Sequence, residues 1–117
     1  MEFQFEKLEV YQYSVRYVSE IEPILERIGS KHRDLRSQLR RASYSIVLNI
    51  AEGAGKVTAK DQRNFYAIAR GSATECAATL HLLETVGAIS IDTTRSPRRL
   101  LLSIVRMLSK MCLSPNK

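Results

Sequence analysis

The sequence predicts an all-α protein, an antiparallel up-down-up-down four-helix bundle. Four segments repeat apolar residues at spacings of three and four, the pattern of amphipathic helices. The segments between them are short, about four to nine residues, and short connections make consecutive helices antiparallel neighbours. Only the short stretch 88–92 could be a strand. The 117 residues are therefore predicted to form one domain, 1–117.

The first helix is predicted over about 5–28. Its most regular apolar face is formed by Leu8, Tyr11, Val15 and Val18. A second set widens that stripe, at Val10, Tyr17, Ile21, Ile24 and Ile28. A stripe this wide predicts contact with more than one neighbour. Because Pro23 lacks a backbone N–H donor, we expect a kink or a break near Glu22.

The second helix is predicted over about 32–53, where glycines end it. Its apolar face consists of Leu35, Leu39, Ala42, Ile46 and Ile50. The third helix is predicted over about 58–86, with Thr58 and Asp61 as its N-terminal cap and Gly87 as its stop. Its inner face is predicted to hold Phe65, Ile68, Ser72, Cys76, Thr79 and Leu83. This helix is rich in small residues, which let another backbone approach closely.

The fourth helix is predicted over about 97–113. Ser96 is its expected N-cap and Pro97 its expected first residue, because proline fits the first helical position. Its inner face is formed by Leu101, Ile104, Leu108 and Met111.

Composition narrows the class of protein. The N-terminus is interrupted by charges, and no apolar run approaches the roughly 18 residues of a membrane span. We therefore expect a soluble, cytoplasmic protein with no membrane association. Cys76 and Cys112 lie in apolar helical stretches and are predicted to be buried, unreactive thiols.

The net charge of +6 is unevenly distributed. Residues 1–26 hold six acids and two bases, whereas residues 27–41 hold six bases and one acid. Residues 95–117 hold six bases and no acid. Segregated positive charge indicates a polyanionic partner or an acidic protein surface.

The bases of the second and fourth predicted helices lie opposite their apolar faces. On a helical wheel, Arg33, Arg36 and Arg40 lie about 100–160° from Leu35, and Arg95, Arg99, Arg106 and Lys110 lie about 120–180° from Leu101. A solvated surface explains one such face, but two favour phosphate binding. With the adjacent Arg41, the predicted nucleic-acid-binding residues are Arg33, Arg36, Arg40, Arg41, Arg95, Arg99, Arg106 and Lys110. Tyr44 is the one candidate for base stacking.

A polar strip runs beside the apolar face of the second helix. We interpret it as a structural polar network between helices or subunits, made by Asn49, Glu52, Arg70, Ser72 and Glu75. The catalytic interpretation would make Glu52 a general base, but no nucleophile accompanies it.

No motif for catalysis, metal binding or cofactor binding is present. His32 and His81 have no metal-ligand spacing to other residues, and phosphate-binding fingerprints do not occur. The sequence therefore predicts no catalytic residues, no metal and no cofactor, which means a protein that is not an enzyme.

Two blocks, LRRASYSIVLNIAEGAG (39–55) and IARGSATE (68–75), resemble the family of four-helix-bundle proteins encoded by intervening sequences in bacterial 23S rRNA genes. FEKLEVYQ (5–12) fits that family's opening, and the similarity extends from about Phe5 to Gly87. The residues that carry the family pattern are Arg40, Arg41, Asn49, Glu52, Gly53, Arg70, Gly71, Ser72 and Glu75.

The resemblance implies a ring-shaped homo-oligomer, a homopentamer. It also implies a relation to the accessory variability determinant proteins of diversity-generating retroelements, which bind nucleic acid and partner a reverse transcriptase. The leading hypothesis is a basic oligomeric scaffold that binds RNA or DNA largely through phosphate contacts. The alternative is an adaptor that docks an acidic protein, such as a reverse transcriptase, without binding nucleic acid directly.

Overall fold

The four predicted helices are present in the computed structural model, which describes residues 2–113. Within this range the α-helices are α1 (Glu9–Arg27), α2 (Arg33–Ala54), α3 (Ala59–Thr85) and α4 (Ile91–Leu113), and there is no strand. Short 3-10 turns at Gln4–Lys7 and Ser30–His32 precede α1 and α2. The prediction of an all-α protein with four helices is confirmed.

Side-chain contacts show that consecutive helices run antiparallel. Tyr17 in α1 meets Ser43 in α2, and Glu26 near the end of α1 meets Arg40, which lies earlier in α2. The next two helix pairs follow the same order, at Arg41–Glu75, Ser45–Ser72, Glu84–Arg98 and Arg70–Ser109. Because α1 and α3 each pack against α2 and α4, the α1–α2 and α3–α4 pairs lie on opposite sides of the bundle.

The core uses the second apolar set of α1 rather than its most regular stripe. All five members of the second set, Val10, Tyr17, Ile21, Ile24 and Ile28, are buried. Leu25, which continues the regular stripe seven residues beyond Val18, is buried as well. Val15 is instead 44% exposed, and Leu8, Tyr11 and Val18 pack only at the edge of the core. The stripe with the clearest spacing is thus partly exposed on the side of α1 that adjoins α2.

One expectation for α1 was wrong, and of the kink or break expected near Glu22 the break is absent. The α-helix begins at Glu9 rather than near Phe5, because residues 4–7 form a 3-10 turn and Leu8 is extended. The break expected near Glu22 is absent, since α1 continues through Pro23 to Arg27. Pro23 and Ser19 are both exposed, so the Ser19 carbonyl that loses its helical partner can bond to water.

The inner face of α3 differs from the predicted one over its first half. Cys76, Thr79 and Leu83 are buried as expected, but Ile68 is 51% exposed. The core positions there are Tyr66, Ala69 and Ala73. The predicted and the buried face of α3 are offset by one residue over this half and both include Cys76 and Leu83. The buried face is the one with small residues, because α3 packs closely on α2.

Gly53 explains that close packing. A Cβ atom at Gly53 would lie 2.8 Å from Cε1 of Tyr66 and 3.1 Å from Cβ of Phe65. Only glycine therefore lets the end of α2 approach the start of α3 at this distance.

The predicted start of α4 was wrong by six residues, because the helix begins at Ile91. Ser90 rather than Ser96 acts as its cap, since the Ser90 hydroxyl accepts a hydrogen bond from the Thr93 amide at 3.2 Å. The stretch 88–92, the only candidate for a strand, therefore forms the turn before α4 and the first residues of α4. Pro97 is buried inside the helix.

The other predicted helix ends are present. The Thr58 hydroxyl accepts a hydrogen bond from the Asp61 amide, which caps α3. At the end of α3, Gly87 has a φ of +77°, and the Ala88 amide donates to the Leu83 carbonyl at 2.8 Å, a Schellman arrangement. No helix in the described range has the length and apolar character needed to cross a membrane.

Candidate nucleic-acid interface

The arginines of α2 are largely engaged within the chain. Arg40 pairs with Glu22 at 3.6 Å and with Glu26 at 3.7 Å, both on α1. Arg36 donates a hydrogen bond to the Ile28 carbonyl at 2.8 Å, where it caps the C-terminus of α1. The acidic helix α1 therefore neutralises Arg40 and holds Arg36 through a carbonyl, which leaves the charge of Arg36 in place.

Arg41 and Arg95 also have acidic partners. Arg41 pairs with Glu75 of α3 at 2.6 Å, and Arg95 pairs with Asp92 in the first turn of α4 at 2.9 Å. These four side chains are all well exposed, so each pair contributes at most about 1 kcal/mol of stability. Each pair also lowers the positive charge of the predicted binding surface, because its carboxylate offsets the charge of one arginine.

Five of the eight predicted binding residues have no acidic partner among residues 2–113. One is Arg36, and the others are Arg33 at the start of α2 and, on α4, Arg99, Arg106 and Lys110. The last four are exposed. Three of these five residues therefore lie on α4.

The cationic face of α4, defined as Arg95, Arg99, Arg106 and Lys110, follows the outer side of the helix. Its members are separated by four, seven and four residues, which keeps them within one sector of the helical wheel. With about 1.5 Å of rise per residue, the row extends about 22 Å. Leu102, which is 51% exposed, lies within the row.

A groove lies beside this row, between α3 and α4, with a volume of about 480 Å³. Its apolar floor includes Ala77, Leu101 and Val105, and Arg98 lies at its edge with two members of the cationic face. Arg98 pairs with Glu84, whose side chain is only 7% exposed and also accepts a hydrogen bond from Thr94. This contact fixes the start of α4 against the end of α3.

Arg98 and Leu102 are the residues of this surface that the sequence prediction missed. Arg98 lies two residues after the predicted N-cap, and Leu102 is adjacent to the expected core residue Leu101. Neither position therefore indicated a binding residue. On the helical wheel Leu102 lies about 100° from Leu101, next to the basic residues, and this position could have indicated that its side chain is exposed.

The residues of the predicted polar network are distributed over four separate contacts. The Asn49 amide donates to the Ser45 hydroxyl at 3.0 Å, and Ser45 shares a hydrogen bond with Ser72 at 2.7 Å, which connects α2 to α3. Glu75 joins the same helices through Arg41. By contrast, Glu52 pairs with Lys56 in the next turn, and Arg70 donates to Ser109 of α4 at 2.7 Å.

Tyr44 lies away from the cationic face of α4. It is on the α1–α2 side of the bundle, where its hydroxyl donates a hydrogen bond to Glu22 at 2.6 Å. That hydrogen bond raises the pKa of Tyr44. The one predicted base-stacking candidate is therefore on the other side of the molecule from α4.

A buried polar chain crosses the core at Tyr17, Ser43 and Cys76. The Tyr17 and Ser43 hydroxyls are 3.0 Å apart, and Ser43 Oγ is 3.5 Å from Cys76 Sγ. Burial raises the pKa of both Tyr17 and Cys76. Cys76 is therefore held as a neutral thiol, which is a poor nucleophile. At Cys112, burial likewise raises the pKa.

Over residues 2–113, the His, Cys, Asp and Glu side chains form no group of three that could hold a metal ion.

Comparison with known proteins gives a family and a fold. The sequence model described as "23S rRNA-intervening sequence protein" matches residues 6–110. No curated protein matches the chain. Among solved structures, a protein with unknown function from the S23 ribosomal protein family of Bacteroides thetaiotaomicron is similar, with a TM-score of 0.81 and 22% sequence identity. The similarity covers 88% of this chain and 97% of that one, and at this identity it shows the fold alone.

The raised pKa values of Tyr17 and Cys76 predict how stability depends on pH. Both groups stay protonated in the folded chain while the unfolded chain releases their protons, from about pH 9 upward. The contribution of the two protonated groups to the free energy of unfolding is complete below about pH 9 and declines above it. Urea unfolding between pH 7 and pH 11 should show this decline, and Tyr17→Phe should make it shallower. Equal pH dependence in the two proteins would contradict this account.

Proposed function

The chain belongs to the family of 23S rRNA-intervening sequence proteins, and we propose that it is a non-enzymatic, basic scaffold that binds nucleic acid largely through phosphate contacts. The observation that carries this proposal is the cationic face of α4. Arg99, Arg106 and Lys110 have no acidic partner among residues 2–113, and α4 contains no acid after Asp92. Phosphate contacts by unpaired Arg and Lys release counterions, which supplies most of the free energy of non-specific binding.

This proposal moves the binding site relative to the sequence prediction. On α2, Arg36 and Arg40 are occupied by α1, so we assign them to the fold. Arg33 is exposed at the start of its helix, beside Arg27 and Lys31 of the α1–α2 turn, and Arg41 is paired with Glu75. The site consists instead of Arg95, Arg99, Arg106 and Lys110, with Arg98 beside them.

Self-association into a ring, with five copies as the family resemblance implies, is part of the proposal. A patch of exposed apolar side chains on the α1–α2 side supports it, formed by Phe3, Val15, Tyr44 and Leu48. Two hollows of about 250 and 500 Å³ meet at Leu48, which is 67% exposed. An exposed apolar patch of this kind marks an interaction surface. Five chains of +6 would present +30 on one assembly.

A specific observation also supports the adaptor function. The α3–α4 groove combines an apolar floor with Arg95, Arg98 and Arg99 at its edge, which suits an acidic helix with one apolar face. A reverse transcriptase is the partner that the family resemblance suggests. A partner that stays bound after nuclease treatment, together with no affinity for nucleic acid, would favour the adaptor over the scaffold.

Removing the unpaired charges of α4 should weaken nucleic-acid binding. The triple variant Arg99→Ala, Arg106→Ala, Lys110→Ala loses three phosphate contacts, so the slope of log affinity against log salt should decrease by about three. Fluorescence anisotropy with a labelled oligonucleotide at several salt concentrations measures this slope. Far-ultraviolet circular dichroism should show unchanged helicity.

A control variant with the same loss of charge distinguishes a binding site on α4 from a general effect of the net charge. Arg27→Ala, Lys31→Ala, Arg33→Ala removes three bases around the α1–α2 turn and should leave the slope almost unchanged. Equal losses in the two variants would contradict a site on α4, and no binding by the native protein at low salt would overturn the proposed function.

Leu48→Glu should dissociate the oligomer, because it places a charge at the centre of the apolar patch. Light scattering at micromolar concentration should show a multimer for the native chain and a smaller species for the variant. Val57→Glu is the matched control, since Val57 is 97% exposed in the α2–α3 loop and lies outside the patch. A native monomer, or a Leu48→Glu protein that keeps the native mass, would refute this interface.

A further inference from the structure

We infer that the cationic face of α4 selects double-stranded over single-stranded nucleic acid. This inference rests on the proposed function and names the class of ligand. It follows from the separation of charge and aromatic rings on opposite sides of the bundle.

The side of the molecule that carries the cationic face of α4 offers no Phe, Tyr or Trp ring. Between Ala67 and Lys117 the sequence contains none of these residues, and this segment includes all of α4 and most of α3, where the one aromatic side chain is the exposed imidazole of His81. Phe3 stacks on Phe5, and Tyr11 meets Phe5 edge to face, before and within α1. Tyr44 is bonded to Glu22 on the same α1–α2 side.

The remaining rings of α3 are near its start and are occupied. Lys56 Nζ lies 5.0 Å from the centre of the Phe65 ring. Tyr66 is 3% exposed and packs against Gly53. Of the remaining rings of α1, Tyr17 is buried and Tyr13 packs against the core. The helix α4 itself therefore places no Phe, Tyr or Trp ring among Arg99, Arg106 and Lys110.

Single strands and duplexes depend on different contacts. Proteins that bind single strands without sequence preference combine a positive groove with aromatic side chains on which the unpaired bases stack. In a duplex the bases already stack on one another, so the protein need supply only the phosphate contacts. A surface with cations alone therefore forfeits the stacking contribution for a single strand and loses nothing for a duplex.

Charge density points in the same direction. A duplex carries one phosphate charge per about 1.7 Å of its axis, against about 3.4 Å for each strand considered alone. The cationic face of α4 is a straight row about 22 Å long. Along that length a duplex presents about twice as many phosphates, so counterion release favours it.

The exposed Leu102 within the row allows a direct test by gain of function. A ring placed at this position would lie among Arg99, Arg106 and the groove, where an unpaired base could stack on it. Since the side chain is 51% exposed, the larger residue can extend into solvent. Leu102→Trp should therefore convert the face towards single-strand binding.

The experiment is fluorescence anisotropy with the full chain, at low salt, on a 20-base-pair duplex and on one of its strands with no self-complementarity. The native protein should bind the duplex about tenfold more tightly. Leu102→Trp should raise the single-strand affinity about fivefold and change the duplex affinity less than twofold. Ile68→Trp is the control, because Ile68 is exposed one turn from Ser72 on the α2 side of α3, and it should change neither affinity.

The outcomes are distinguishable from those for the proposed function. Equal or tighter binding of the single strand by the native protein would overturn duplex selection and leave nucleic-acid binding in place. A Leu102→Trp protein with unchanged single-strand affinity would overturn the argument from missing rings. Binding of neither ligand would overturn the proposed function itself.

Discussion

The pairing of two α1 carboxylates with Arg40 of α2 reduces the positive charge of the basic face that the sequence predicts on α2. Arg40 lies between Glu22 and Glu26, and Arg36 caps the end of α1. These exposed contacts add little to the free energy of unfolding. Their consequence is electrostatic, because the two carboxylates offset the charge of Arg40, whereas Arg99, Arg106 and Lys110 on α4 have no acidic partner among residues 2–113. The exposed apolar patch at Leu48 and the cationic face of α4 lie on different sides of the bundle.

That separation lets one small bundle present two different surfaces. The α1–α2 side carries the exposed Leu48 and Val15, together with most of the aromatic rings, and is suited to another protein surface. The α3–α4 side carries arginines and lysine around an apolar groove and is suited to a polyanion. Self-association through the first side would place copies of the second side in one assembly, where the phosphate contacts of each chain add to those of its neighbours.

The sequence predicted the positions of the helices better than it predicted the side-chain contacts between them. Periodicity located all four, and local signals such as Thr58 and Gly87 placed helix ends correctly. Where two patterns competed, local reasoning chose wrongly, as with Ser96 over Ser90 and with the exposed Ile68 over the buried Ala69. The engagement of Arg40 could not be predicted, because its partners are 14 and 18 residues away and meet it only when α1 packs on α2.

The most direct test is arginine footprinting with a dicarbonyl reagent and mass spectrometry, with and without saturating duplex. The account predicts that the duplex protects Arg99 and Arg106 on α4, while Arg36 and Arg40 react equally in both samples. Protection centred on Arg33, Arg36 and Arg40, with Arg99 and Arg106 unchanged, would contradict it and return the binding site to α2.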